Sequence, residues 1–218
     1  MEIKGKKINF LGDSITEGAG ASAPQFAYHQ VMKTIYGIKE ARNYGIGGTR
    51  FARQKTPSVS ERFDLDFCMR AEEMDKDADI VVVFGGTNDY GHGDAPLGNF
   101  EDRDEYTFSG ACHVLMRKLK ELYPEAEIVI VTPMHRENEN NPCGDAKPEP
   151  VGTLKEYVDI IRKTAEYYAL PVCDIFAMGR VMPDIPVMKE KYTTDGLHPN
   201  DAGHRLLAER IGNFLKNL

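Results

Sequence analysis

Long apolar runs are absent from the sequence. No stretch approaches the ~20 apolar residues that a membrane-spanning helix needs, and the apolar stretch near the start covers only residues 8–11. That stretch is too short for the core of a secretory signal peptide, and no small-residue cleavage site follows it. We therefore expect no membrane span. We also expect a cytoplasmic location, provided that no leader has been removed from the chain.

Dense clusters of lysine and arginine are absent as well. The formal net charge is −7, and the acidic residues are scattered along the chain. Proteins that bind a phosphate backbone present a basic stripe or patch, so nucleic acid is not an expected partner. The expected partner is a small molecule, and the sequence carries no indication of an oligomeric state.

The usual metal-binding patterns are missing. None of the 4 cysteines belongs to a C-x-x-C pair, which excludes the common zinc motifs. Asp75, Asp77 and Asp79 resemble the start of a calcium loop. That loop needs glycine at its sixth position and glutamate at its twelfth, where this chain has Ile80 and Gly86. We expect no bound metal.

Short apolar runs alternate with helical patterns along the 218 residues, and no repeat or linker divides them. Strands are predicted at 7–11, 41–44, 78–84, 127–132 and 171–174, and helices at 25–36, 59–74, 107–123, 154–168 and 201–218. This alternation predicts an α/β fold in one domain, residues 1–218: a three-layer α/β/α sandwich around a flavodoxin-like, five-stranded parallel sheet. In such sheets the functional site lies outside the carboxyl ends of the strands.

Polar motifs follow the first, second, third and fifth predicted strands. They are Gly-Asp-Ser-Ile-Thr at 12–16, Asn-Tyr-Gly-Ile-Gly-Gly-Thr at 43–49, Gly-Gly-Thr-Asn-Asp at 85–89 and Asp-Gly-Leu-His-Pro-Asn at 195–200. Parallel strands bring their carboxyl ends to one edge, so a hydroxyl, a flexible glycine turn, a carboxamide and an Asp/His pair should meet there. Acyl transfer requires this set of groups.

Each motif supplies one candidate role. Ser14 is the candidate nucleophile and needs a base to take its proton, for which His198 is suited. Asp195, three residues before His198, is placed to orient the imidazole and to stabilise its cation. The candidate oxyanion donors are the backbone N–H groups of Ser14 and Gly48 and the side-chain amide of Asn88. One such donor is typically worth ~3 kcal/mol of transition-state stabilisation.

The four motifs, in this order across residues 12–200, resemble the defining blocks of the SGNH hydrolases, also called GDSL esterases and lipases. The resemblance implies a flavodoxin-like fold and a Ser-His-Asp triad, with no cofactor. Ile15 stands where the family often has leucine. Gly47 and Gly48 both suit the oxyanion glycine, and the family's N-x-G-x-x-G pattern places it at Gly48.

The substrate is less well defined by the sequence. Two long segments, 91–106 and 133–152, are polar and contain no apolar lid. Polar segments suit a hydroxylated substrate better than a long acyl tail. We therefore predict a serine esterase that hydrolyses small acyl esters, above all acetyl esters, of carbohydrates. Tyr90, His92 and His135 are candidates for substrate contact, with packing as the alternative for Tyr90.

Longer acyl chains, as in a lysophospholipase or thioesterase, are the alternative substrate. That interpretation requires an apolar trough from five side chains that follow or flank the last two strands: Met134, Phe176, Met178, Val181 and Met182.

Other function classes fit the sequence less well. A flavin-binding loop after the first strand would place Asp13 and Glu17 against a phosphate, which they would repel. A non-catalytic carbohydrate-binding protein would not need an intact triad. The α/β-hydrolases require a G-x-S-x-G motif, which no serine of this chain has.

Overall fold

The computed structural model describes residues 1–218 and contains one sheet of five strands. The strands are β1 (Lys7–Gly12), β2 (Glu40–Gly45), β3 (Ile80–Phe84), β4 (Glu127–Val131) and β5 (Val172–Cys173). Their order in the sheet is β2-β1-β3-β4-β5, and every neighbouring pair is parallel. This order is the flavodoxin-like one, and the predicted fold class is confirmed.

Nine α-helices connect and cover the strands. They are α1 (Ser14–Glu17), α2 (Tyr28–Tyr36), α3 (Phe67–Arg70), α4 (Thr87–His92), α5 (Phe108–Leu122), α6 (Leu154–Tyr167), α7 (Ile175–Met178), α8 (Pro186–Tyr192) and α9 (Asp201–Lys216). Single turns of 3₁₀ helix lie at Pro24–Phe26 and Glu61–Asp64. None of the helices combines the length and the apolar composition that a membrane crossing demands.

Alternate side chains of β3 enter two separate cores, one on each face of the sheet. Val81 and Val83 pack with α5 and α6. Ile80, Val82 and Phe84 pack with α2 and α9. Because both faces of the strand are covered, its sequence is an unbroken apolar run rather than an alternating one.

The long helices begin where a side chain satisfies their free N–H groups. Thr107 accepts the N–H of Gly110 at the start of α5, and Asn200 accepts that of Gly203 at the start of α9. Thr153 opens α6 with a capping box. Such caps stabilise a helix by ~1 kcal/mol each, and the Asn200 cap fixes the point at which the 195–200 motif joins α9.

The prediction of a continuous helix at 59–74 is wrong. The structure has only the 3₁₀ turn Glu61–Asp64 and the four-residue α3 there. Asp64 accepts the N–H and the hydroxyl of Ser58, and Asp66 accepts the N–H of Met69. These side chains offer the backbone local alternatives to a continuous helix.

Candidate active site

Ser14, His198 and Asp195 form a continuous chain of hydrogen bonds. Ser14 Oγ lies 2.9 Å from His198 Nε2, and His198 Nδ1 lies 2.7 Å from Asp195 Oδ2. The second oxygen of Asp195 accepts the backbone N–H groups of Leu197 at 2.9 Å and of His198 at 2.7 Å. The carboxylate thus holds both the ring and the loop that carries it, which leaves Nε2 directed at the hydroxyl.

The Asp195 carboxylate is charged at neutral pH. Its partial burial raises the pKa, but the hydrogen bonds from the His198 ring and from the N–H groups of His198 and Leu197 outweigh that effect. The net result is a pKa of Asp195 below its ordinary value. A charged carboxylate on Nδ1 favours the tautomer in which Nε2 can accept a proton.

Ser14 is presented by a sharp turn from β1 into α1. Asp13 caps this short helix, since its Oδ1 accepts the N–H of Ile15 at 3.0 Å. The turn is tight at Gly12, where a Cβ atom would lie 1.9 Å from Thr16 Oγ1. Burial is the main cause that raises the pKa of Asp13 to about 6, and its contact with the Ile15 N–H stabilises the turn.

The segment after α1 is tied to the start of α9, next to His198. Ser22 donates to Asp201 through its N–H at 2.8 Å and its hydroxyl at 2.6 Å. His204 Nε2 lies 3.0 Å from the carbonyl oxygen of Ala19. His204 is fully buried. These contacts hold the hydroxyl and imidazole at a fixed separation.

The turn after β2 lies beside Ser14 and leaves one N–H group free. A Cβ atom at Gly47 would lie 3.5 Å from Ser14 Cβ. The Gly47 N–H donates to Glu17 Oε2 at 2.8 Å, while the N–H of Gly48 has no acceptor in the protein. Gly48 has φ +77°, a left-handed conformation that favours glycine.

Asn88 lies in the first turn of α4, shortly after β3, and contacts the same turn. Its Nδ2 atom donates to the carbonyl oxygen of Thr49 at 3.0 Å. A carboxamide has two N–H groups, so the second is free for a ligand. The next residue, Asp89, accepts the N–H groups of Phe51 at 3.0 Å and Ala52 at 2.9 Å. The start of α4 and the glycine turn are therefore held together.

The residues predicted for the chemistry thus meet at one edge of the sheet. The Ser14 N–H belongs to the first turn of α1, so it has no intrahelical acceptor. With the Gly48 N–H and the second Asn88 N–H, three donors without an acceptor in the protein lie on the segments that form this edge. Electrostatically, the arrangement can receive a negative oxygen.

Tyr90 does not reach this edge. Its side chain is fully buried, and its hydroxyl donates to the carbonyl oxygens of Asn138 and Asn141. The expectation of a substrate contact is corrected accordingly: Tyr90 packs beneath the 133–152 loop, because its hydroxyl satisfies carbonyl groups of that loop.

His92 and His135 remain accessible. The His92 Nδ1 atom lies 3.0 Å from Arg50 Nη1, and its ring is exposed. The His135 Nδ1 atom lies 2.8 Å from Glu139 Oε1, and its ring rests against Phe176 with the centroids 3.9 Å apart. Both histidines can therefore still contact a bound molecule.

The apolar trough considered for long acyl chains does not form as a continuous surface. Met134 and Val181 are buried in the core beside α9. Phe176 is covered on one side by the His135 ring. Met178 is partly buried and packs against the same core, and Met182 is exposed.

Two buried arginines, which the sequence analysis did not single out, support the site. Arg70 donates to the carbonyl oxygens of Gly12 at 3.1 Å and Tyr44 at 2.6 Å, and to Thr49 Oγ1 at 2.8 Å. It therefore joins the ends of β1 and β2 to the glycine turn. Burial lowers the pKa of Arg70 to about 10, which leaves it charged at neutral pH.

Arg50 connects the outer side of the glycine turn to the neighbouring segment 58–64. Its Nη2 atom donates to Ser58 Oγ at 2.8 Å, to the Phe63 carbonyl at 3.1 Å and to Asp64 Oδ1 at 3.2 Å. The segment 58–64 is thereby held against the glycine turn. Arg70 lies within the helix predicted at 59–74, where an arginine gives no sequence signal for such a role.

The chain resembles known proteins over almost its whole length. The model of the GDSL-like Lipase/Acylhydrolase family matches residues 10–206. A GDSL lipase of Mycobacterium tuberculosis is 25% identical over 220 residues, which cover 99% of this chain and 84% of that protein. A crystal structure of a protein from Lactobacillus plantarum is 28% identical with a TM-score of 0.83, covering 99% of this chain and 98% of that one.

An acetyl xylan esterase shares the fold, with a TM-score of 0.64 and 24% identity over 96% of this chain and 99% of that one. The family match spans nearly the whole chain and contains all four motifs. The chain therefore belongs to the GDSL-like lipase and acylhydrolase family of ester-hydrolysing enzymes.

Proposed function

We propose that residues 1–218 act as one serine esterase domain, which hydrolyses acetyl and other small acyl esters through an acyl-enzyme on Ser14. The observation that carries the proposal is the hydrogen-bonded chain from Ser14 through His198 to Asp195, placed beside the free N–H of Gly48. This is the arrangement that nucleophilic acyl transfer needs.

The reaction begins when Ser14 Oγ attacks the ester carbon and His198 Nε2 takes the hydroxyl proton. The carbonyl oxygen becomes negative and receives hydrogen bonds from the N–H groups of Ser14 and Gly48 and from the Asn88 amide. His198 then gives its proton to the leaving alcohol oxygen as the ester bond breaks. Water repeats the sequence on the acyl-enzyme and releases the acid, while Asp195 stabilises the imidazolium in both halves.

Acetylated carbohydrates are the proposed substrate class. The loops at 91–106 and 133–152 are polar, and Met134 and Val181 are withdrawn into the core. The rings of His92 and His135 remain accessible and can bond sugar hydroxyls. The acetyl xylan esterase provides an example of this chemistry on the same fold.

The proposal is tested with p-nitrophenyl acetate and the Ser14→Ala variant. We expect the wild type to turn over the ester, and mass spectrometry of the acid-quenched enzyme to place an acetyl group on Ser14. The Ser14→Ala variant should fold normally and lose turnover. Ser60→Ala, in which an unbonded serine hydroxyl is removed, is the matched control and should retain activity. Turnover by purified Ser14→Ala well above background contradicts the proposed nucleophile.

The substrate class is tested separately, by the dependence of kcat/KM on acyl length and by release of acetate from acetylated xylo-oligosaccharides. A maximum at acetate, with acetate release from the oligosaccharides, supports the carbohydrate ester. A maximum at eight carbons or more favours the alternative, a lysophospholipase or thioesterase on longer acyl chains.

A further inference from the structure

An exposed aromatic ring covers the oxyanion turn. Phe63 is 39% exposed. A Cβ atom at Gly48 would lie 2.6 Å, 3.0 Å and 3.1 Å from three carbons of the Phe63 ring. The ring is therefore in direct contact with the glycine whose N–H group is free.

The backbone around Phe63 is held on two sides. Arg50, from the oxyanion turn, donates to the Phe63 carbonyl at 3.1 Å. Arg62 forms an ion pair with Glu17, which belongs to the helix that starts with Ser14. The N–H of Phe63 closes a local turn by donating to Ser60 O at 3.0 Å. The backbone that carries the ring is therefore tied to the oxyanion turn and to the nucleophile helix, and the ring forms a wall beside Gly48.

The segments that carry Phe63 and His198 continue into opposite faces of the sheet. The loop with His198 leads into α9 and belongs to the layer that packs with Ile80 and Val82. The segment with Phe63 leads into Phe67, which belongs to the other layer with α5 and α6. The leaving alcohol must lie within reach of His198, because this residue returns the proton to it. The acyl group is consequently directed away from His198, toward Phe63.

We infer that Phe63 is the specificity-determining residue that limits the length of the acyl group. The assignment rests on the proposed esterase function and deepens it. The aromatic ring stands against the donor glycine, in the direction in which carbons beyond an acetyl methyl would extend. Chains longer than a few carbons meet the ring and lose the apolar burial that would otherwise favour them, since each buried CH₂ contributes ~0.8 kcal/mol.

The test compares the wild type, Phe63→Leu and Phe63→Ala on p-nitrophenyl acetate, butanoate, hexanoate and octanoate. We expect the ratio of kcat/KM for octanoate to that for acetate to rise by at least ~10-fold in Phe63→Ala, the gain of about two buried CH₂ groups. Phe63→Leu should give an intermediate rise. Val59→Ala removes a fully exposed apolar side chain from the same segment and should keep the wild-type ratio.

Three results overturn the assignment of Phe63: an unchanged ratio in both Phe63 variants, an equal loss on all four esters, or the same shift in Val59→Ala. An equal loss would mean that the ring only supports the Gly48 turn. A wild type without activity on any ester overturns the proposed function itself, and the assignment with it. An active wild type with an unchanged profile in the variants overturns the role of Phe63 alone.

Discussion

Glu17 Oε2 lies 2.8 Å from the backbone nitrogen of Gly47 and accepts its hydrogen bond. The other carboxylate oxygen pairs with Arg62. The sequence left two adjacent glycines as candidates for the oxyanion donor, and only the family pattern favoured the second. With the Gly47 N–H engaged by Glu17, the N–H that faces no protein acceptor is that of Gly48.

Glu17→Ala should therefore lower kcat by about tenfold with little change in KM. The variant loses the hydrogen bond between the Glu17 carboxylate and the Gly47 N–H, so the turn that carries Gly48 is less well held. Hydrogen bonds to charged groups contribute ~1.5–3 kcal/mol, and less where solvent reaches them, as it does here. Glu17→Gln keeps an oxygen acceptor for the Gly47 N–H and should restore most of kcat, although it loses the pair with Arg62. Steady-state kinetics on p-nitrophenyl acetate measure both. If Ala and Gln variants are equally active, Glu17 does not position the turn.

Asn88→Ala and Asn88→Asp should each lower kcat by about 10²–10³, the usual loss for one oxyanion donor. KM should change little, because the bond strengthens as the oxygen becomes negative. The exposed Asn140 has no hydrogen-bonding role in the loop, so Asn140→Ala is the matched control. A raised KM at unchanged kcat would instead identify Asn88 as a ground-state binding residue.

Asp195→Asn should lower kcat by about 10- to 1000-fold. An amide can hold the imidazole in the wrong tautomer, a defect that costs ~10⁴ in proteases where the triad aspartate is buried. The Asp195 side chain is 50% exposed, so water can replace part of its effect and the loss should be smaller. The melting temperature should stay near that of the wild type. Unchanged kcat in a folded Asp195→Asn enzyme would remove Asp195 from the triad.

The strands and the chemical residues could be predicted from the sequence because their signals are local. β3 is a continuous β-branched run, and each polar motif follows its own strand. In a parallel sheet, that position is enough to bring Ser14 and Asn88 to one edge. His198 lies beyond α7 and α8, just before α9, and reaches the same edge from there.

The supports of the site could not be predicted, because their signals depend on distant partners. Arg70 reaches the ends of two strands, and the chain between Ser58 and Asp66 follows side-chain hydrogen bonds instead of helical periodicity. Tyr90 and His204 are buried because carbonyl groups far along the chain accept from them. Residue type alone does not reveal such partners.

The buried histidine of α2 makes the stability of the fold depend on pH. His29 is 2% exposed, and its Nε2 atom lies 3.1 Å from the Thr16 carbonyl oxygen, directly behind the nucleophile helix. Burial is the main cause that lowers the pKa of His29 to about 4, whereas an unfolded histidine titrates near 6.5. Between these values the unfolded chain binds more protons than the folded one. The contribution of His29 is therefore complete above pH ~6.5 and is lost as the pH falls toward 4.

We accordingly expect the change in the free energy of unfolding from pH 7 to pH 5 to be more favourable in His29→Gln than in the wild type by about 2 kcal/mol, the value that these two pKa values give for one group. Glutamine can still donate to the Thr16 carbonyl but does not titrate. Burial raises the pKa of Asp13 and of Asp89 to about 6, which acts in the opposite direction, but both groups are present in either protein and cancel from the comparison. Urea unfolding at the two pH values measures the difference, with Thr34→Ala on the exposed side of the same helix as the control. If the free energy of unfolding changes equally between the two pH values in the wild type and in His29→Gln, His29 is not the group that couples folding to protons.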